Sequence, residues 1–362
     1  MGTVKPSAAL ASLCHLASLR LPAQMAAPTL SLLLGDLVPI SNVTVGWFDE
    51  DCGLRDMYSS RLAPPEIGHR VVTEYLNARE AEAYTPHRAF MQSTSRCDLP
   101  HTEANYHRSS FFDEIARPMD FGIMARFAVR DERRPVAVLW LTRPVGDRDF
   151  SKRELLRMLE AVKYVEHALV GAEEEADCNA EREERGWLVA DHRGTVQYLA
   201  EGTEALLHRA ASIPRNRETM SRRYDWVRPI LRELARRVTA LDNGRAGDLP
   251  SMTIGNDSGR YVLRAHRLHA AAGGGSNLIG VQISCRIPLS LRLLESPRVR
   301  ALPPREKRVC LSLAFGRTAS EIATEMDVSA HAVVHHSRNL YARLGIHRRE
   351  DLLPALLRPY DA

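Results

Sequence analysis

The sequence predicts an α+β protein of 362 residues: two α/β units followed by an all-helical tail. Three observations predict it. Alternating, strand-like patterns occur over residues 42–48 and 121–142 and return over 187–199 and 251–287. Helical patterns accompany each set. Beyond residue 302 no strand pattern follows, and helix stops and starts succeed one another at close spacing. The length suits two to three domains, and a hydrophobic content of 44% is enough for ordinary buried cores.

The first unit is expected over residues 1–172. Ala9 to Leu37 reads as helix interrupted at Pro22 and Pro28. Asn42 to Phe48 alternates as a strand and runs into a turn over 49–53. Ser110 to Ile115 reads as a short helix. Phe121 to Val129 and Pro135 to Thr142 read as two strands joined by a charged turn over 130–134. Phe150 and Ser151 precede a long helix with Leu155, Leu159, Val162, Val165 and Leu169 on one side.

This order of elements resembles the GAF-like sensor domain of bacterial regulators. The resemblance rests on Phe111 to Ile115, Arg117-Pro118, Arg134 to Leu141, Arg143 and Phe150-Ser151. It implies a sheet over which a small molecule can lie. Trp47, Phe90, Phe111, Phe121, Met124 and Trp140 are the candidate lining residues, with a plain apolar core as the alternative for each.

Residues 173–185 are dense in charge and contain no proline or glycine, so the preceding helix is expected to continue through them as a connector. A second unit is expected over 186–292. Trp187 to Ala190 and Thr195 to Leu199 read as a strand pair around the turn Asp191 to Gly194, and a helix passes through Glu204 to Leu207. Ser251 to Gly255, Tyr261 to Leu268 and Asn277 to Ile287 read as three more strands. The opening run Gly186 to Val196, GWLVADHRGTV, resembles the start of a PAS-like domain. Gly273 to Ser276 lacks the lysine and hydroxyl residue of a phosphate loop and is expected to be a hairpin loop.

The tail, 296–362, carries the sharpest signal. Pro303 and Pro304 lead into a helix from Arg305 with Val309, Leu311, Leu313 and Ala314 on its apolar face, stopped at Gly316. Thr318 and Glu321 have capping-box spacing, so a second helix starts there with Ile322, Ala323 and Met326 inward. Ser329 is the expected N-cap of a third helix, which runs to Leu344 and ends at Gly345. At 1.5 Å per residue that helix is roughly 22 Å long, enough to lie in a major groove. Val333, Ser337, Leu340 and Leu344 share its inner side, while Val334, His335 and Arg338 project outward. A fourth helix is expected from Arg349, carrying Leu352, Leu353, Leu356 and Leu357.

These residues resemble the LuxR/GerE helix-turn-helix domain of bacterial transcription regulators. The matching positions are Leu302 to Glu306, Gly316, Glu321 to Ala323, Val328-Ser329, Val333, His336, Leu344 to Ile346 and Arg349. The resemblance implies a four-helix domain that binds double-stranded DNA as a homodimer. It implies DNA contacts from Arg317, Thr318, Ser329, Val334, His335, Arg338 and Arg349. Arg338 suits a guanine edge and Val334 a thymine methyl. The family usually has threonine, a basic residue and often lysine where Ala332, Val334 and Ser320 stand here. Each lost phosphate contact removes about 0.9 from the log–log salt slope, so binding weaker and less salt-sensitive than the family's is expected.

Charge placement agrees. Residues 296–362 hold eleven Lys/Arg against seven Asp/Glu, a surplus of four that equals the whole chain's net charge of +4. Such a local surplus is the footprint of a polyanionic partner. His331 and His335 have metal-ligand spacing, but no Cys, Asp or Glu completes a set, so no metal and no cofactor are expected. Six cysteines without CxxC spacing fit free thiols in a reducing cytoplasm. No apolar run long enough to span a membrane occurs, and no nucleophile-elbow, zincin or Walker motif is present. The expected partners are DNA, a small-molecule ligand, RNA polymerase and a second copy of the chain. The expected function is a cytoplasmic transcription regulator, not an enzyme, that couples a sensed signal to DNA binding. The alternative is a ligand-sensing or interaction module with a degenerate DNA-binding domain.

Overall fold

The computed structural model describes residues 4–50, 53–61, 63–75, 90–91, 93–103, 105–131, 134–170, 177–213, 223–244, 248–271 and 277–358. The fold is α+β. Two helices, α1 (Pro6–Ser18) and α2 (Ala23–Leu37), precede a first sheet of β1 (Asn42–Phe48), β2 (Leu54–Ser59), β3 (Cys97–Asp98), β4 (Ile123–Asp131) and β5 (Arg134–Arg143). A short α3 (Pro65–Arg70) and a helical turn, Phe112–Ala116, lie between β2 and β4. The long α4 (Lys152–Val170) closes this unit. Pro22 separates α1 from α2 as expected, but Pro28 lies inside α2 without breaking it. A proline removes one backbone donor, and the burial of Pro28 among α2's apolar residues offsets that loss.

The second sheet contains β6 (Ala180–Asp191), β7 (Val196–Leu199), β8 (Ser251–Asn256), β9 (Gly259–Arg267) and β10 (Leu278–Ile287). Helices α5 (Thr203–Ala210) and α6 (Arg228–Asp242) lie between β7 and β8. Six α-helices follow β10 among the described residues, beginning with α7 (Leu289–Glu295), α8 (Pro297–Arg300), α9 (Pro304–Ala314) and α10 (Ala319–Met326). Then come α11 (Ala330–Leu344) and α12 (Leu352–Leu357). Each sheet is wholly antiparallel, with its last strand at the centre: β2-β1-β5-β4-β3 and β7-β6-β10-β9-β8. The two units therefore repeat one topology.

The charged connector expected over 173–185 is not a helix where it is described. Ala180 to Arg185 form the first half of β6, and residues 173–176 lie outside the described residues. Along this half, side chains alternate: Arg182 and Gly186 are buried, while Glu181 and Arg185 are exposed. The period is that of a strand. It was concealed because the inward residues are themselves charged and find buried partners. Arg182 pairs with Glu295, and Arg209 pairs with Glu184. The loop expected at Gly273 to Ser276 lies outside the described residues.

One face of the first sheet packs against the helices. Val43, Val45, Phe127, Leu139 and Leu141 share a core with Leu30 and Leu34 of α2 and Val162 and Val165 of α4. The same core continues into the second sheet through Leu263 and Val281, and into the tail through Val309, Ile322 and Leu340. The opposite face of the first sheet has its own smaller cluster around Trp140, Met124 and Phe90. No described helix is long and apolar enough to cross a membrane.

Candidate nucleic-acid interface and a cavity over the first sheet

The tail folds as its local signals require. Thr318 Oγ1 accepts from the Glu321 backbone N–H, and the Glu321 carboxylate accepts from the Thr318 N–H at 2.6 Å, completing a capping box. Ser329 Oγ accepts from the Ala332 N–H at 3.1 Å and caps α11. Gly316 and Gly345 have φ of +86° and +66°, a left-handed conformation open to glycine at low cost. Val333 and Leu340 of α11 are fully buried, and Ser337 donates to the Val333 carbonyl. The fourth helix begins at Leu352, after a tight turn over Arg349–Asp351.

The outer face of α11 presents His331, Val334, His335, Arg338 and Asn339 to solvent. Asn339 Nδ2 lies 3.2 Å from His335 Nε2. Asn339 was not singled out from the sequence, although its place four residues after His335 puts it on the same face. Asparagine is a good adenine reader, which makes its position notable. Arg338 is exposed and has no hydrogen bond or ion pair among the described residues.

The other expected contact residues divide by role. Thr318 and Ser329 spend their hydroxyls on helix caps. Arg317 is exposed and pairs with Glu325. The guanidinium of Arg349 donates to the carbonyls of Leu313, at 3.2 Å, and Arg317, at 2.7 Å. Nη2 thereby closes the end of α9, while the residue itself stays exposed.

The charge footprint also needs correcting. Lys307 turns away from the outer surface and is buried against α1, donating to the Ala8 carbonyl at 2.7 Å and to Ser12 Oγ at 2.5 Å. Arg300 pairs with Asp36 of α2 at 2.8 Å. Two of the tail's cations thus dock it on the N-terminal helices. Burial lowers the Lys307 pKa from 10.5 to about 8. Below pH 8 the docked lysine carries its charge at a cost. Between about 8 and 10.5 the docked state holds fewer protons than the unfolded chain, so stability from this site rises with pH. Lys307→Met removes the titration. Its stability relative to the wild type should therefore fall by about 3 kcal/mol at most between pH 7 and pH 10. Thermal unfolding across that range checks it; a constant difference would refute the assignment.

On the outer face of the first sheet lies a cavity of about 100 Å³. Of the six expected lining residues, Phe111, Phe121, Met124 and Trp140 line it. Phe90 belongs to the same cluster but places its ring 5.0 Å from the Arg126 guanidinium carbon. Trp47 is on the wrong face: it follows Val43 and Val45 in the strand's alternation and packs toward the helices. It borders a separate cleft, of about 500 Å³, shared with Arg209 and Asn256 of the second unit.

Residues 300–354 match the family of bacterial regulatory proteins designated luxR, or GerE. No curated protein matches the chain. Among solved structures, a GAF domain/HD domain protein from Geobacter sulfurreducens is 14% identical, covering 42% of this chain and 94% of its own, with a TM-score of 0.30. The Vibrio cholerae VqmA dimer, described as a LuxR-type receptor, is 14% identical over 49% of this chain and 83% of its own, with a TM-score of 0.19. The sensor region of a sensor histidine kinase is 16% identical over 68% of this chain and 84% of its own, with a TM-score of 0.20. These structural likenesses are distant, whereas the match at 300–354 coincides with the four-helix tail.

Proposed function

We propose that the chain is a homodimeric transcription regulator in which the outer face of α11 reads DNA and the upstream units, 1–172 and 186–292, sense a signal. The observation that carries this is the free, outward Arg338 beside His335 and Asn339, on a capped helix inside the luxR-family segment. The cavity over the first sheet supports a sensory role for the first unit, and the repeated sheet topology supports a similar role for the second. Lys307, Arg300 and Glu295 join the tail and its lead-in helix to the N-terminal helices and the second sheet. A signal that shifts those elements would change how two DNA-binding domains are presented to half-sites about ten base pairs apart. RNA polymerase is the natural further partner of such a regulator.

Arg338→Ala is expected to cost about 1–3 kcal/mol of affinity for an enriched duplex, roughly 5- to 150-fold. Folding should be unaffected, because the residue is exposed and unpaired among the described residues. Titration of the duplex with both proteins at fixed salt measures it. Unchanged affinity would remove Arg338 from base readout.

A further inference from the structure

The cavity over the first sheet has apolar walls and two polar groups that are unmet among the described residues. Phe111, Phe121 and Trp140 bound it with Met57, Met119 and Met124. A Cβ at Gly46 would stand 2.8 Å from the Trp140 ring, so glycine there lets the indole lie close against β1. Sulfur and aromatic faces together suit a flat, polarizable guest.

Arg126 and Thr142 also line this cavity, and each is 1% exposed. Nη1 of Arg126 and Oγ1 of Thr142 have no hydrogen-bond partner among the described residues. Buried polar groups are rarely left so. The rest of the Arg126 guanidinium is committed: Nε donates to Asp98 Oδ1 at 2.7 Å, and Nη2 pairs with Asp98 Oδ2. Its charge is therefore already balanced. Thr44 and Ser59, at the same end, bond to each other at 3.1 Å and to Asn42. What remains is the Nη1 group of Arg126, with two N–H donors, and the Thr142 hydroxyl. Arg61 also lines the cavity and is exposed to solvent, which screens its charge.

Building on the sensory reading of the first unit, we propose that this cavity binds a small, uncharged, flat aromatic molecule bearing one hydrogen-bond acceptor, a carbonyl or ring nitrogen, held by Arg126 and Thr142. A carboxylate or phosphate would bring a charge with no buried cation left to meet it. A pure hydrocarbon would leave both groups unmet. A cavity of about 150 Å³ holds benzene, so the volume here limits the guest to at most a single ring of about six non-hydrogen atoms. The competing occupant is water, since several water molecules would fit and could satisfy both groups.

The test uses the full chain without DNA at pH 8 and three probes of equal heavy-atom count: pyridine, cyclopropanecarboxylate and benzene. Calorimetric titration should show pyridine binding at least tenfold more tightly than either of the others. Thr142→Val keeps the side-chain shape and removes the hydroxyl. It should weaken pyridine about tenfold and leave benzene unchanged. Arg126→Lys, which can still pair with Asp98 but lacks Nη1, should act in the same direction. Equal binding of the three probes, indifference to Thr142→Val, or no binding at millimolar concentration would overturn the proposal in favour of water. If pyridine binds as expected but leaves DNA affinity unchanged, the site stands and the sensory reading of the unit fails.

Discussion

Glu295→Ala is expected to destabilise the folded chain by about 3–5 kcal/mol, the cost of breaking a buried ion pair by removing one partner. Glu295 ends α7, the helix that leads from the second sheet into the tail. Its Oε1 accepts from Arg182 Nη2 of β6 at 2.7 Å and from Thr29 Oγ1 of α2 at 2.7 Å. The Arg182 and Glu295 side chains are 6% and 8% exposed, so solvent cannot replace the lost carboxylate. Nη1 of Arg182 already lacks a partner among the described residues, which leaves the cation still less compensated in the variant. Replacing both partners by methionine should recover most of the loss, because the penalty comes from the unpaired charge and not from missing attraction. Chemical denaturation measures both variants. A loss below about 1 kcal/mol for Glu295→Ala would mean that the site is hydrated rather than sealed.

Leu340→Ala is expected to cost about 2–5 kcal/mol, and to abolish DNA binding by a route distinct from that of Arg338→Ala. Leu340 is fully buried and lies on the inner side of α11 with Val333, in the core that includes Val309 of α9 and Ile322 of α10. Removing three side-chain carbons there leaves a cavity that short helices close poorly. The outer face keeps all its side chains, yet the helix presenting them loses its support. Circular dichroism melts alongside duplex binding separate the cases. Arg338→Ala should lose affinity at unchanged stability, and Leu340→Ala should lose both. A fully stable Leu340→Ala protein would contradict the packing described for α11.

The tail was the most legible part of the chain because its signals are local. A capping box needs only Thr318 and Glu321, and a left-handed stop needs only a glycine at 316 or 345. The inner and outer faces of α11 follow from helical spacing alone. Lys307 and Arg300 were misjudged for the opposite reason. Nothing near them in sequence shows that Ala8, Ser12 and Asp36, some three hundred residues away, take up their charges.

The start of β6 failed differently. Its inward positions include Arg182 and Glu184, so the hydrophobic alternation that marks a strand was replaced by charge, and unbroken charge reads as helix. The partners that make this tolerable, Glu295 and Arg209, belong to other elements. Trp47 shows a third kind of limit. Alternation separates it from its neighbours Gly46 and Phe48, but the sequence alone does not say which face of β1 meets the helices and which meets the cavity. Arg126 and Thr142 carried no sequence signal, since a buried arginine in a strand resembles an exposed one until its neighbours are known.

The most direct test of DNA reading by α11 is selection from random duplexes by the purified full chain, with affinity for the enriched duplex then followed against salt. The proposed homodimeric regulator predicts recovery of a preferred sequence with two related half-sites, an affinity that falls as salt rises, and preference weakened by Arg338→Ala. Recovery of no preferred sequence, with weak binding indifferent to salt, would contradict it and favour a sensing or interaction module whose helix-turn-helix fold has outlived its DNA contacts.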